Sequence, residues 1–140
     1  MKFKKIALLI LTFLVILSAG ITSTGCLKVK PVSIDNIILS GSVDANGNPT
    51  AESDSFNIGT KEIYLVIKLS NMKNTDNISV KWTYLDKGLE IDTKSFTPES
   101  DFTGNKIFKI KISQGFPYGS YEVRVFLNGT QEKIISFTVN

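Results

Sequence analysis

From Ile34 to Val139 the apolar residues recur at every second position, and this alternation restricts the fold more than any other feature of the chain. A period of two sends successive side chains to opposite faces of an extended strand, whereas a helix would repeat every 3.6 residues. Glu62 to Ser70 places Ile63, Leu65, Ile67 and Leu69 on one face. Ile78 to Leu85 does the same with Val80, Trp82 and Tyr84, leaving Lys81 and Thr83 opposite. Lys106 to Ser113 turns Phe108, Ile110 and Ile112 inward and Lys109 and Lys111 outward. Tyr121, Val123, Val125 and Leu127 repeat the pattern, as do Ile135, Phe137 and Val139. A first strand within Ile34 to Val43 and a weaker one at Leu89 to Phe96 bring the expected number to about seven. Short strands separated by regularly spaced turn residues predict an all-β sandwich.

The connections follow from their residues. Asp44 to Ser55, rich in Asn, Gly, Pro and Ser, reads as a long polar loop. Phe116-Pro117-Tyr118-Gly119 has proline and glycine where a type I turn takes them. Asn128-Gly129 marks a hairpin. For the inward sets on either side of it to share a face, an odd number of loop residues is needed, which predicts a three-residue turn with a glycine bulge.

Two features resemble the immunoglobulin-like or fibronectin-type sandwich. Trp82 sits centrally on the third expected strand, where that family buries its tryptophan, and Gly119-Ser120-Tyr121-Glu122-Val123 resembles its tyrosine corner. The resemblance implies that Val123 and either Leu65 or Ile67 occupy the positions that hold the disulfide in antibody domains. Here aliphatic packing replaces it, since Cys26 is the only cysteine in the chain. A domain of about 110 residues buries roughly 65% of its unfolded surface, which suffices without a cross-link.

The N-terminus carries a different signal. Lys2, Lys4 and Lys5 precede the apolar stretch Ile6 to Leu17, which is interrupted only by Thr12 and is short of the ~20 residues that span a bilayer. Small residues follow up to Thr24-Gly25-Cys26, which resembles the lipobox of bacterial and archaeal lipoproteins, although Ser23 stands where leucine is usual. The resemblance implies a helical signal peptide at 1–25, lipidation of Cys26 and a membrane-held protein on the extracytoplasmic face. Residues 26–33 then form a lipidated tether and 34–140 the sandwich. Two acyl chains bind a bilayer stably where one binds marginally.

Composition narrows the function. Taking Lys2, Lys4 and Lys5 from the 16 basic residues leaves 13 against 13 acidic ones, so the expected mature part lacks the basic excess of a nucleic-acid binder. The chain has no histidine, which excludes Ser-His-Asp and Cys-His catalysis and histidine-ligated zinc. No cofactor or metal is expected. Asp44, Asn46 and Asn48 fall at positions 1, 3 and 5 of a calcium loop, but Pro49 and Ser55 stand where glycine and a bidentate carboxylate are required. Glu90 and Asp92 share a strand face by alternation, as a glycosidase pair does, yet that spacing on a charged strand belongs to solvent. Asn77-Ile78-Ser79 and Asn128-Gly129-Thr130 match the N-glycosylation pattern and also make sense as turns. Tyr64 and Phe126 should point away from the core. With Phe116 and Tyr118 they are candidates for an exposed aromatic patch that binds a carbohydrate or small ligand. The sequence therefore predicts a non-catalytic module that contacts another envelope protein or cell-surface polymer, with sugar binding as the alternative.

Overall fold

The computed structural model describes residues 25–140, so the expected helical signal peptide, apart from Gly25, lies outside the described residues. Among the described residues eight strands form: β1 (Ser33–Ser40), β2 (Ser55–Phe56), β3 (Glu62–Met72), β4 (Ile78–Tyr84), β5 (Leu89–Phe96), β6 (Phe102–Lys111), β7 (Gly119–Leu127) and β8 (Thr130–Val139). One sheet has the order β1-β3-β6, and the other has the order β2-β8-β7-β4-β5. All neighbours are antiparallel except β2 and β8.

The inward set predicted from alternation is the core. Ile63, Leu65, Ile67 and Leu69 of β3 have no accessible surface, nor do Ile78, Val80, Val123 and Val125 of the facing sheet. Each such side chain contributes about 1.5–3 kcal/mol relative to exposure. Leu65, Ile67 and Val123, at the positions implied for a disulfide, are all completely enclosed. Trp82 is 1% exposed and lies edge-on to Phe137, with centroids 6.2 Å apart. Its indole N–H has no partner among the described residues, so the ring is held by its buried area against the cost of an unmet donor.

Three connections of the fold differ from the sequence expectations. The first is β2, which begins on Ser55, the last residue of the stretch read as loop. Phe56 inserts edge-on against Phe137 at 5.7 Å, while the N–H groups of Thr138 and Asn140 donate to the carbonyls of Asp54 and Phe56. Two residues are too few to show a period.

The second is the β7–β8 hairpin, which has a two-residue loop and not three. Leu127 pairs with Thr130, and Asn128 and Gly129 both have positive φ, at 50° and 80°. This is the geometry of a type I′ turn, which Asn-Gly adopts with little strain. The extra residue that parity demands is Glu132, bulged out between the pairs Val125–Lys133 and Phe126–Gln131.

The third is the β6–β7 connection. Its hydrogen-bonded turn runs from Ile112 to Gly115, upstream of the expected Phe116–Gly119. Gly115, with φ 86°, lies so close to Gly59 that an added Cβ would stand 2.9 Å from the Gly59 Cα. Beside it the Phe116 N–H donates to the Thr60 carbonyl at 2.8 Å, tying the segment to the β2–β3 connection.

The stretch before β2 also covers surface. Val66 lies on the outward face of β3 but is 3% exposed. The loop that carries Gly47 and Pro49 lies over it, with Gly47 packed against Ile107.

Candidate functional site

Strand directions define two ends. β1, β4, β6 and β8 start at the end where the irregular segment expected to be the tether enters, and β3, β5 and β7 finish there. Cys26 is exposed in an irregular segment that precedes β1, and the Pro31 carbonyl accepts a 3.3 Å hydrogen bond from the Asn71 side chain. The opposite end lies about 30 Å away along strands of nine or ten residues. Exposed large apolar residues are unevenly placed: Leu27 and Val29 on the tether, Ile58, Leu85, Leu89 and Tyr118 at the far end, and Ile134 on β8.

The four candidate aromatics do not come together. Tyr64 lies on the outer face of the three-stranded sheet, half-buried, with its hydroxyl donating to Glu62 at 2.7 Å and the Lys109 ammonium 5.8 Å from its ring. The Glu62 carboxylate holds the Tyr64 phenol above its ordinary range. Phe126, paired with Ser79 and Gln131, is on the outer face of the other sheet. Phe116 is not exposed at all: at 1% accessibility it packs edge-on against Tyr121 at 5.7 Å. The upstream shift of the turn carries its ring inside. Tyr118 alone is well exposed, at 68%.

Tyr121 behaves as the corner motif requires. It is 1% exposed, and its hydroxyl donates to the Pro117 carbonyl at 2.6 Å. Burial first, then the neighbouring Tyr84 and Asp86, push its phenol up to about 12. A second tyrosine, which sequence reading counted only as core, does parallel work: the Tyr84 hydroxyl donates to the Tyr118 carbonyl at 2.8 Å. Tyr84, Tyr121 and Phe137 are cross-strand neighbours on β4, β7 and β8. They stack with centroids 4.7 Å and 5.0 Å apart.

This architecture has a solved counterpart. An immunoglobulin-like protein from Pseudomonas aeruginosa aligns with a TM-score of 0.56 at 13% identity, over 81% of this chain and 99% of that one. The fold is an immunoglobulin-like sandwich. Looser matches are the alkylpurine DNA glycosylase AlkC of Pseudomonas fluorescens and the sensor domain of the anti-sigma factor RsgI4 of Pseudobacteroides cellulosolvens. The glycosylase aligns with a TM-score of 0.48 at 15% identity, over 78% of this chain but 30% of its own. The sensor domain aligns with a TM-score of 0.45 at 14% identity, over 74% of this chain and 87% of its own. No protein-family model and no curated protein matches the sequence.

Within the immunoglobulin-like frame the remaining polar candidates have structural partners. Asp44 accepts the backbone N–H groups of Asn46 and Asn48 at 2.9 Å and 2.8 Å and the Asn48 side chain at 3.1 Å. These bonds, those from Asn48 foremost, hold its carboxyl below the usual range and consume its oxygens within the turn. A bulge at Ile91 separates Glu90 from Asp92, correcting the shared face: Glu90 is opposite Thr83 and Asp92 opposite Trp82. Glu90 pairs with Lys81 at 2.7 Å and Asp92 with Lys94 at 3.4 Å. The side-chain nitrogens of both glycosylation-pattern asparagines are engaged, Asn77 with Thr97 at 3.0 Å and Asn128 with Asp76 at 2.9 Å. These two asparagines also bond each other through the Asn77 N–H and the Asn128 side-chain oxygen at 2.8 Å.

Proposed function

We propose that this chain is a lipoprotein module held on the extracytoplasmic face of a membrane through Cys26, where it contacts another envelope protein or cell-surface polymer without catalysis. The observation that carries the reading is the polarity of the molecule. The lipobox cysteine lies on an exposed tether at one end, and four large apolar side chains stand exposed at the other. Lys28 and Lys30 on the tether suit a surface of anionic headgroups, where each contributes about 1 kcal/mol. The far end, about 30 Å out, is free to meet a partner.

The sugar-binding alternative loses its support, because Tyr64 and Phe126 lie on opposite outer faces and Phe116 is buried. The reading is tested by fractionation and mass spectrometry. Native protein should sediment with membranes and yield an N-terminal peptide that starts at a modified Cys26, and Cys26→Ala should lose both. An unmodified Cys26 with unchanged fractionation would overturn it.

A further inference from the structure

The sandwich has two open sides, and they are finished differently. Between β5 and β6 the edges are closed by specific contacts. The Lys94 ammonium donates to the Lys109 carbonyl and lies 3.4 Å from Asp92, and the Lys106 ammonium stands 3.9 Å above the Phe96 ring. Charged side chains directed across an edge in this way block further strand pairing. On the other side, β1 is likewise blunted. Asp35 bulges from it, the Asn36 side chain takes the Ile37 N–H at 2.9 Å, and Ser53 N–H takes the Leu39 carbonyl at 2.9 Å.

β8 is not. Its outward-facing backbone groups belong to alternate residues. Thr138 and Asn140 use theirs on β2 and its flanks, with bonds of 2.9 Å to Asp54, 2.9 Å to Phe56 and 3.0 Å from Ile58. The same row runs back through Ser136 and Ile134, and β2, parallel to β8, starts only opposite Thr138, past them. Among the described residues nothing bonds those N–H and C=O groups. Beside them lies a groove of about 380 Å³ whose floor is Ile37, Leu39 and Ile135. It adjoins a second depression near Glu132 and Asp35. The rim carries the carboxylates of Glu52, Asp54 and Glu132 against the ammonium of Lys133, while Asp35 at its end spends its oxygens on the Ser33 and Ser70 hydroxyls.

We propose that the β8 edge at Ile134–Ser136 and the adjoining groove take an extended cationic segment of a partner protein as an added strand in line with β2. Main-chain bonds to Ile134 and Ser136 hold it, alternate apolar residues cover Ile37 and Ile135, and the intervening lysines or arginines meet the carboxylate rim. The proposal rests on reading the chain as a binding module and names the chemistry of its partner.

The full chain in detergent micelles is titrated with a synthetic nonapeptide of alternating lysine and valine, and with its glutamate–valine counterpart. Amide hydrogen exchange and binding are followed together. The lysine peptide should slow exchange at Ile134 and Ser136 and bind about tenfold or more tightly than the glutamate peptide. Glu52→Lys combined with Glu132→Lys should reverse that preference. Ile134→Pro removes an outward donor and should weaken the lysine peptide at least as much. Equal binding of the two peptides, protection confined to another part of the surface, or protection that arises without peptide and grows with protein concentration (a second copy as occupant) would each overturn the assignment. None of these outcomes touches the Cys26 anchor, which fractionation tests separately.

Discussion

The two ends of the sandwich are closed by different chemistry. At the far end rings do the work. Tyr84, Tyr121 and Phe137 stack across three strands, Phe116 and Phe56 meet that stack edge-on, and two tyrosine hydroxyls hold the Pro117 and Tyr118 carbonyls. At the tether end a single half-buried ring pair, Phe96 edge-on to Phe102 at 5.5 Å, stands beside a mesh of polar side chains that joins Asp76, Asn77, Thr97 and Asn128. Buried rings contribute through area, which is large and insensitive to acid. Exposed hydrogen bonds contribute about 1 kcal/mol each and depend on which groups are ionised. The stability of the domain should therefore be concentrated at the end away from the tether, and each end should fail under its own conditions.

The largest expected effect is at the base of the ring cluster. Trp82→Ala or Tyr121→Ala should cost about 3–5 kcal/mol in denaturant unfolding, a large share of what a domain of this size possesses. A loss below about 1 kcal/mol would mean that the rings do not dominate.

Gly119→Ala comes next, at about 2–3 kcal/mol. Its φ is +144°, and an added Cβ would collide with an Asp86 carboxylate oxygen and stand 2.7 Å from the Tyr84 ring. Unchanged stability would show that the start of β7 has room to move.

The amide end is tested by Asn128→Ala, which leaves a non-glycine residue at φ 50° without its side-chain bonds and should cost about 1–2 kcal/mol. Equal losses for Asn128→Ala and Tyr121→Ala would erase the contrast between the ends. Acid sharpens it. Asp76 is held below its ordinary 3.8 first by the Lys73 backbone N–H and then by the Asn128 amide. Its contribution is present above that value and is lost as the pH falls below it.

The smallest effect, and the most diagnostic, is Tyr121→Phe, at about 1 kcal/mol near neutral pH. The folded phenol stands at about 12 against an ordinary 10. The protonated form is thus favoured by folding, and this contribution is complete below pH ~10 and lost as the pH rises toward 12. Unfolding midpoints of the native protein should decline over that interval more steeply than those of Tyr121→Phe. Parallel declines would place the alkaline weakness elsewhere, Tyr64 on Glu62 being the other raised phenol.

Most of this arrangement was legible in the sequence, for an identifiable reason. Alternation reports whether a side chain points in or out, and it placed Ile63, Leu65, Trp82, Tyr121 and Val123 correctly. It does not report which sheet a strand joins. Tyr64 and Phe126 were both expected to face outward, and they do so on opposite sides of the molecule. Bulges escape for a related reason: Ile91 and Glu132 each shift the register by one residue without any local signature, so Glu90 and Asp92 part faces and the Asn-Gly turn stays tight. Phe116 was misplaced because Gly115, packed on Gly59, moved the turn upstream through a contact between residues far apart in sequence. The bare β8 edge has no sequence signal, since it depends on where β2 starts.

The single parallel pairing, β2 with β8, has a mechanical consequence. The tether enters at one end of the sandwich and Asn140 leaves at the other, so tension between them runs along the strands. The three bonds that link Asp54, Phe56 and Ile58 to Thr138 and Asn140 lie across that direction and are loaded in shear, so that they yield together. The antiparallel bonds of β7 and β8, pulled apart from Ser120 and Thr138, open one after another like a zip. In single-molecule extension the domain should therefore resist a pull between Cys26 and Asn140 at higher force than a pull between Ser120 and Thr138. Under the proposed anchoring through Cys26, a partner drawing on the far end would load the domain in that direction.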